Sequence, residues 1–191
     1  MTLKRKKRTI EIDDAGTGDL IGDAFIGFHV KETGEIIFRS VPVGLYNEEN
    51  LETNSPKKKI VELVKDGLET LDFDKNIDEI LLCRGDCFDL VRETFDQEGI
   101  NYKPAIIEGK LQDAVEGRLV SHLRKLGVKS NKLTKKSGAK RYFVLFNWLS
   151  RDFPNREKFV KSGFKKWKPV WRERAIKNYN KSKRKSRSTA S

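Results

Sequence analysis

Five carboxylates stand where local structure alone explains them poorly. Asp13 and Asp14 close the run IEIDD, Asp86 follows IDEILLC, and Asp113 and Glu116 are three apart in KLQDAVEGRL. Acids are poor strand residues, so Asp13 and Asp14 need either a turn or a ligand. Gathered at one place they would repel one another unless a cation lay between them, and an all-oxygen set suits Mg2+ or Mn2+. The other metal-ligating residues are sparse: Cys83 and Cys87 are four apart with no second pair, and His29 and His122 do not cluster, which excludes a disulfide scaffold and a structural zinc site. Each acid also has a structural alternative. Asp86 could cap a helix, Asp14 could face solvent by strand alternation, Asp113 could complement a helix N-terminus, and Glu116 could sit on a helix surface. Glu108, at the end of a further strand, reads as structural. Asp13 is hardest to explain away, because it ends the first apolar strand in the most protected part of a sheet.

The elements that must position these acids are legible in the patterning. Residues 9–14, 22–31 and 36–43 read as three strands joined as an antiparallel meander, and Ser55-Pro56 opens a helix over about 56–71 with Ile60, Leu63, Val64, Leu68 and Leu71 at helical spacing. Ile77 to Cys83 is the continuous apolar run of a buried strand. Gly85-Asp86 then opens a helix with Phe88, Val91 and Phe95 on one face, Pro104 to Ile107 is a further strand, and Lys110 to Leu126 is a helix ending at Gly127. The order predicts an α/β fold with a mixed five-stranded sheet, the antiparallel unit followed by parallel crossovers. In such sheets ligands gather at the carboxyl ends of strands, where Asp13, Asp14 and Asp86 lie.

Beyond Gly127 the pattern is weaker. VKSNKLTKKSGAKR reads as a basic loop, Arg141 to Leu149 as a strand or a helix, the following stretch as a short helix capped near Asn155 and stopped by Gly163, and about Pro169 to Tyr179 as a last helix. The organisation expected is a basic segment 1–8, an α/β domain 9–127, a basic aromatic-rich extension 128–180 and a disordered tail 181–191. Charge follows the same division. Of a net +12 over 191 residues, residues 1–120 hold 17 Lys and Arg against 25 Asp and Glu, while residues 121–191 hold 23 against 3. A segment that basic gathers polyanions, and its interleaved aromatics suit base stacking. Arg141, Lys165, Lys166, Trp167, Lys168, Trp171 and Arg172 are therefore candidate nucleic-acid contacts. No run is long or apolar enough for a signal peptide or a membrane span, so a cytoplasmic, membrane-free protein is expected; KRKKR at 4–8 could alternatively be a nuclear address.

The stretch DDAGTGDLIGDAFIGF resembles the first motif of the type 2 ribonucleases H, in which a strand runs into Asp-Glu-Ala-Gly-Arg-Gly, then Pro-Leu-Ala-Gly-Pro, then a second apolar strand. The spacing of the first acid, the alanine, three glycines and the leucine is kept. ILLCRGD resembles the family's second acidic strand end, and IIEGKLQDAVEGRLVSHL its Lys-Gly-Asp followed by a small-residue helix. The likeness in element order covers about residues 9–126, and the motif likeness about 13–22. It implies a ribonuclease H-like fold in which Asp13 bridges metal ions, Asp14 takes the glutamate's place and Asp86 is the acid after the central strand. It also implies that Gly16, Thr17 and Gly18 hold a nucleic-acid strand through backbone groups near a ribose 2′-hydroxyl.

Three positions differ from that pattern. Thr17 stands where the family has arginine, Asp14 is shorter than glutamate, and Lys110 occupies the place of the last aspartate, leaving Asp113 or Glu116 to complete the set and Lys110 as a nucleic-acid contact. The activity implied is two-metal hydrolysis of phosphodiester bonds in RNA, an RNA/DNA hybrid or branched DNA, with two Mg2+ or Mn2+ ions. The alternative is a non-catalytic nucleic-acid-binding protein on the same scaffold, with Thr17 and Lys110 as signs of lost activity.

Overall fold

The computed structural model describes residues 5–131, 133 and 138–188. Three strands, β1 (Thr9–Ala15), β2 (Ala24–Val30) and β3 (Ile36–Val41), form the expected meander. A helical turn at Val43–Tyr46 leads into α1 (Glu48–Glu52) and α2 (Ser55–Thr70). Then come β4 (Glu79–Cys83), a 3-10 turn at Asp86–Phe88, α3 (Asp89–Glu98), β5 (Tyr102–Ala105) and α4 (Lys110–Lys125). The sheet order is β3-β2-β1-β4-β5, with β1 antiparallel to β2 and parallel to β4. This is a mixed five-stranded α/β sheet, and its central strand is the one that carries Asp13 and Asp14.

Side-chain alternation along β1 divides the molecule into two cores. Ile10 and Ile12 face the side covered by α2 and α3, where Ile26, Phe28, Ile80, Leu82, Phe88 and Phe95 are buried with them. Each such aromatic contributes about 1.5–3 kcal/mol by leaving water. Ala15 and Phe25 face the other side, against Val115 and Leu119 of α4. Gly27, which pairs with Asp13 across β1 and β2, lets α4 approach: a β-carbon there would lie 2.9 Å from Leu111 Cδ1.

The described residues beyond 127 belong to this second core. Helix α5 (Ala139–Arg151) buries Leu145, Phe146, Trp148 and Leu149. After α6 (Phe153–Arg156) and a 3-10 turn, the chain extends at Val160, which bridges Ile21. A π-helical turn at Trp167–Arg172 then enters α7 (Glu173–Ser188). Helix α5, Phe153, Val160, Trp167 and Ala175 are thus packed onto the sheet domain through an apolar cluster shared with Ala15, Ile21, Phe25 and Leu119.

Several boundaries differ from expectation. β5 starts two residues earlier than the Pro104–Ile107 run, because β4 pairs Ile80 with Tyr102 and ends at Cys83 opposite Ala105; Ile106 is left 72% exposed. As an edge strand, β5 tolerates Pro104. Residues 141–149 resolve as helix. The helix expected to start near Asn155 instead follows Asp152, with Pro154 in its first turn, where a missing N–H costs nothing. Disorder from 181 is corrected as far as Ser188, since α7 anchors Ala175, Ile176 and Tyr179 and continues through good helix formers, Lys and Arg. The tail beyond 188, residues 1–4 of the basic N-terminus, and 132 and 134–137 of the basic loop lie outside the described residues. Within the N-terminus, Arg5 and Arg8 are committed to Asp78, at 2.9 and 2.7 Å. Among the described residues, no helix is long and apolar enough to cross a membrane.

Candidate functional site

Strand β1 extends through both acids. Asp13, 6% exposed, lies on the α4 side of the sheet, and the parallel register that pairs Ile12 with Leu82 brings Cys83 up beside it. Alternation directs Asp14 to the opposite face, yet one oxygen from each carboxylate and the Cys83 Sγ lie within 4.8 Å of one another. The Cys83 thiol and the Asp14 backbone N–H donate to Asp13. Thr17 Oγ1 donates to Asp14 Oδ2 at 2.7 Å, and the Cys87 thiol donates to the same carboxylate.

Burial governs the electrostatics here. It pushes both carboxyl groups above their usual range, against the hydrogen bonds that favour their charged forms. Burial, followed by the bond to Asp13, pushes the Cys83 thiol up to about 12, and Cys87 is raised in the same way beside Asp14. Among the described residues no lysine or arginine is paired with Asp13 or Asp14, so the cluster presents electron pairs and no internal cation.

The loop after β1 is held from outside the sheet. Gly16 has φ +88°, and a β-carbon there would meet Leu119 Cδ1 at 2.9 Å, so the turn and the helix contact both require glycine. Fully buried Lys161 donates from Nζ to Gly16 O (2.7 Å) and Asp19 O (3.0 Å), and desolvation lowers its pKa to about 8. Arg141, also fully buried, grips Asp19 bidentately at 2.9 and 2.7 Å and donates to Glu116 Oε2 at 2.7 Å. Above this framework opens a cleft of about 600 Å³, walled by Asp14, Thr17, Glu116, Arg141 and Tyr142.

Other expected site residues fall elsewhere. Asp86 is exposed at the start of its 3-10 turn, within electrostatic reach of Asp14 but outside the close cluster. Asp113 is exposed on the first turn of α4. Glu116 reaches the cleft but is committed to Arg141; burial raises its pKa and the guanidinium opposes that. The four-carboxylate, two-ion set of Asp13, Asp86, Asp113 and Glu116 is therefore not assembled among the described residues. Lys110 donates to Gly34 O at the β2–β3 turn and does not line the cleft, because α4 runs from that turn toward Gly16.

In the basic region, Arg141 and Trp167 are corrected from surface contacts to core residues, 0% and 1% exposed. Trp171 packs edge-on against Tyr142 and Phe146, and Arg172 is paired with Glu157. Lys168 is exposed and paired with Glu48, while Lys165 and Lys166 are exposed. The residues that sequence reasoning missed are Cys83, Asp19 and Lys161. Cys83 was recoverable from the parallel pairing of two apolar strands that both end in a polar residue; the two loop contacts carry no local signal.

No protein-family model matches the sequence, and no curated protein matches it. The donor chemistry is thus the direct guide to a metal. Two carboxylates and a thiol fit one divalent ion, and the thiol shifts preference from Mg2+ toward Mn2+ and softer ions such as Zn2+.

Proposed function

We propose that this chain is a divalent-metal-dependent phosphodiesterase acting on nucleic acid, with a ribonuclease H-like arrangement. The observation that carries the reading is the Asp13, Asp14 and Cys83 cluster: a largely shielded donor set across the ends of β1 and β4, with no lysine or arginine paired to its acids among the described residues, beside a glycine loop and with Asp14 lining an open cleft. Asp13 and Asp14 would hold the ion, with Cys83 as third donor. A bound ion supplies a Lewis acid and a water acidified enough to attack phosphorus near neutral pH. The chain does the rest of the positioning. Thr17 fixes the Asp14 carboxylate, Lys161 fixes the backbone of the loop that a strand would cross, and Arg141 offsets part of the charge of Asp19 and Glu116, which would otherwise repel phosphates more strongly. Lys165 and Lys166 supply exposed charge that gathers a polyanion.

The test is cleavage of labelled single strands, RNA/DNA hybrids and branched duplexes with Mg2+, Mn2+ or Zn2+. Cleavage strongest with Mn2+ or Zn2+ is expected, lost by at least 100-fold in Asp13→Asn while binding persists. A second reading, a nucleic-acid-binding protein without catalysis, draws on one specific feature: the thiol and the Arg141-bound Glu116 leave fewer hard donors than a two-ion site needs. Folded protein that cleaves nothing and shows no metal-induced thermal shift would favour that reading.

A further inference from the structure

Helix α7 changes character halfway along. Its first turns are anchored: Ala175 is fully buried, and Ile176 and Tyr179 pack with it into the core over α4. Beyond Tyr179 the helix continues to Ser188 without one apolar residue, and residues 180–185 are all exposed. Glu173 is the last acid in the chain. After it come Lys177, Lys181, Lys183, Arg184, Lys185 and Arg187, with no carboxylate among them.

Two forces oppose this outer half as a free helix. A segment so short has no packed face to hold it, and tertiary packing is what sustains most protein helices. Lys177, Lys181 and Lys185 also stand four apart, where like charges repel along one side of a helix. The helix propensity of Lys and Arg, and propagation from the anchored turns, work the other way. The outer half of α7 is therefore a helix close to balance. A polyanion lying along it would remove the repulsion and shift the balance toward helix.

Charge density favours a duplex as that polyanion. At 1.5 Å per residue, positions 177 to 187 span about 15 Å, so their cations recur about every 3 Å of axis. A nucleic-acid duplex carries a phosphate charge about every 1.7 Å of its own axis, a comparable linear density. A membrane surface is a poorer partner, because the residues beyond Tyr179 offer no apolar face to insert. Single strands are poorer too, because the same stretch has no aromatic ring on which bases could stack. Among duplexes, a helix about 10–12 Å across enters the B-form major groove, about 12 Å wide, and not the deep, narrow one of A-form RNA. Lys177, Asn180, Lys181 and Arg184 line one open groove along α7, whose whole wall is α7 itself.

We propose that the outer half of α7 is a duplex clamp: it enters the major groove of B-form DNA, meets the phosphates on both edges without reading the bases, and has its helix completed by that contact. The inference rests on the nucleic-acid reading of the cleft and deepens it, by naming double-stranded DNA as part of what the chain holds.

The test measures binding of the full chain by fluorescence anisotropy with EDTA present, so that cleavage plays no part. A short DNA duplex of mixed sequence should bind at least about fivefold tighter than the matching RNA duplex or single strand. Phosphatidylserine vesicles added at equal anionic charge should leave most of the DNA bound. Lys181→Gln with Arg184→Gln and Lys185→Gln should weaken DNA binding about tenfold and lower its log-log salt slope by about 2–3, with the thermal midpoint unchanged. Ser182→Pro keeps every cation and breaks the helix, so it should weaken DNA binding at least about threefold. It should also abolish the slowing of hydrogen exchange over residues 180–188 that DNA produces in the wild type. Equal DNA affinity in Ser182→Pro and wild type would overturn the proposal, since charge alone would then suffice. So would RNA-duplex or single-strand binding as tight as DNA, or displacement of the DNA by the vesicles. DNA held through α7 by a protein that never cleaves would leave the clamp standing and remove the phosphodiesterase; cleavage with DNA affinity unchanged in the triple glutamine variant would do the reverse.

Discussion

The sheet half and the C-terminal region carry opposite charge and bury it differently. Asp13 and Asp14 are sunk into the sheet with no cation among the described residues to meet them, so their charge is left for something that binds. Arg141 and Lys161 are sunk deeper still, and among the described residues their side-chain hydrogen bonds reach back to the sheet half: to Asp19, Glu116 and the carbonyls of Gly16 and Asp19. A buried group with its partners supplied is architecture, and one without them is a candidate site. Net charge alone does not make that distinction. Part of the basic surplus after residue 120 is internal clamp, and only cations such as Lys165 and Lys166 face outward for a polyanion.

The harshest way to break this comparison is to delete residues 150–191. A detachable arm would leave the rest folded with weaker nucleic-acid binding, whereas here Phe153, Val160, Trp167 and Ala175 belong to the core over α4. Loss of the cooperative thermal transition is the expected outcome, read by circular dichroism. Next comes Arg141→Ala. Removing the guanidinium leaves two carboxylates facing each other in a protected place, and a loss of about 3–5 kcal/mol is expected in urea denaturation.

Lys161→Met should cost about 1–3 kcal/mol by leaving two carbonyl acceptors unpaired. It also alters the pH dependence. The folded pKa near 8 lies below the ordinary 10.5, so the unfolded chain binds more protons between those values and wild-type stability rises as pH climbs from 8 to 10.5. Without the lysine that rise should disappear from a denaturation series across the same window. The smallest effect tests the outward-facing cations. Lys165→Gln with Lys166→Gln should leave stability unchanged and flatten the salt dependence of nucleic-acid binding by about 1–2 in log-log slope.

Much of this organisation was visible in the residues. Alternation marked β1 to β3, the apolar run marked β4, and Ser55-Pro56 and Gly127 marked the ends of α2 and α4, all signals carried by a few neighbouring positions. Asp13 stood out because a carboxylate in an apolar strand conflicts with its surroundings. Other expectations failed for an equally physical reason. Trp167 and Arg141 were read as surface contacts because interleaved basic and aromatic residues look alike whether the aromatics stack on bases or on α5 and α7. Asp86 was read as a ligand because its distance from the strand end was right, yet one 3-10 turn leaves it outside the cluster and Cys83 inside it.

Local chemistry, then, is what the chain determines by itself: the period of its apolar residues, the turns that require Gly16, and the acid of Asp13 within a strand. Tertiary structure alone decided which polar groups ended with partners. Whether Cys83 meets Asp13 and whether Lys161 reaches Gly16 across 145 residues of sequence both depend on register and packing between distant segments. Those arrangements arise from burying apolar area, which is non-directional, and so leave no mark at the polar positions they bring together.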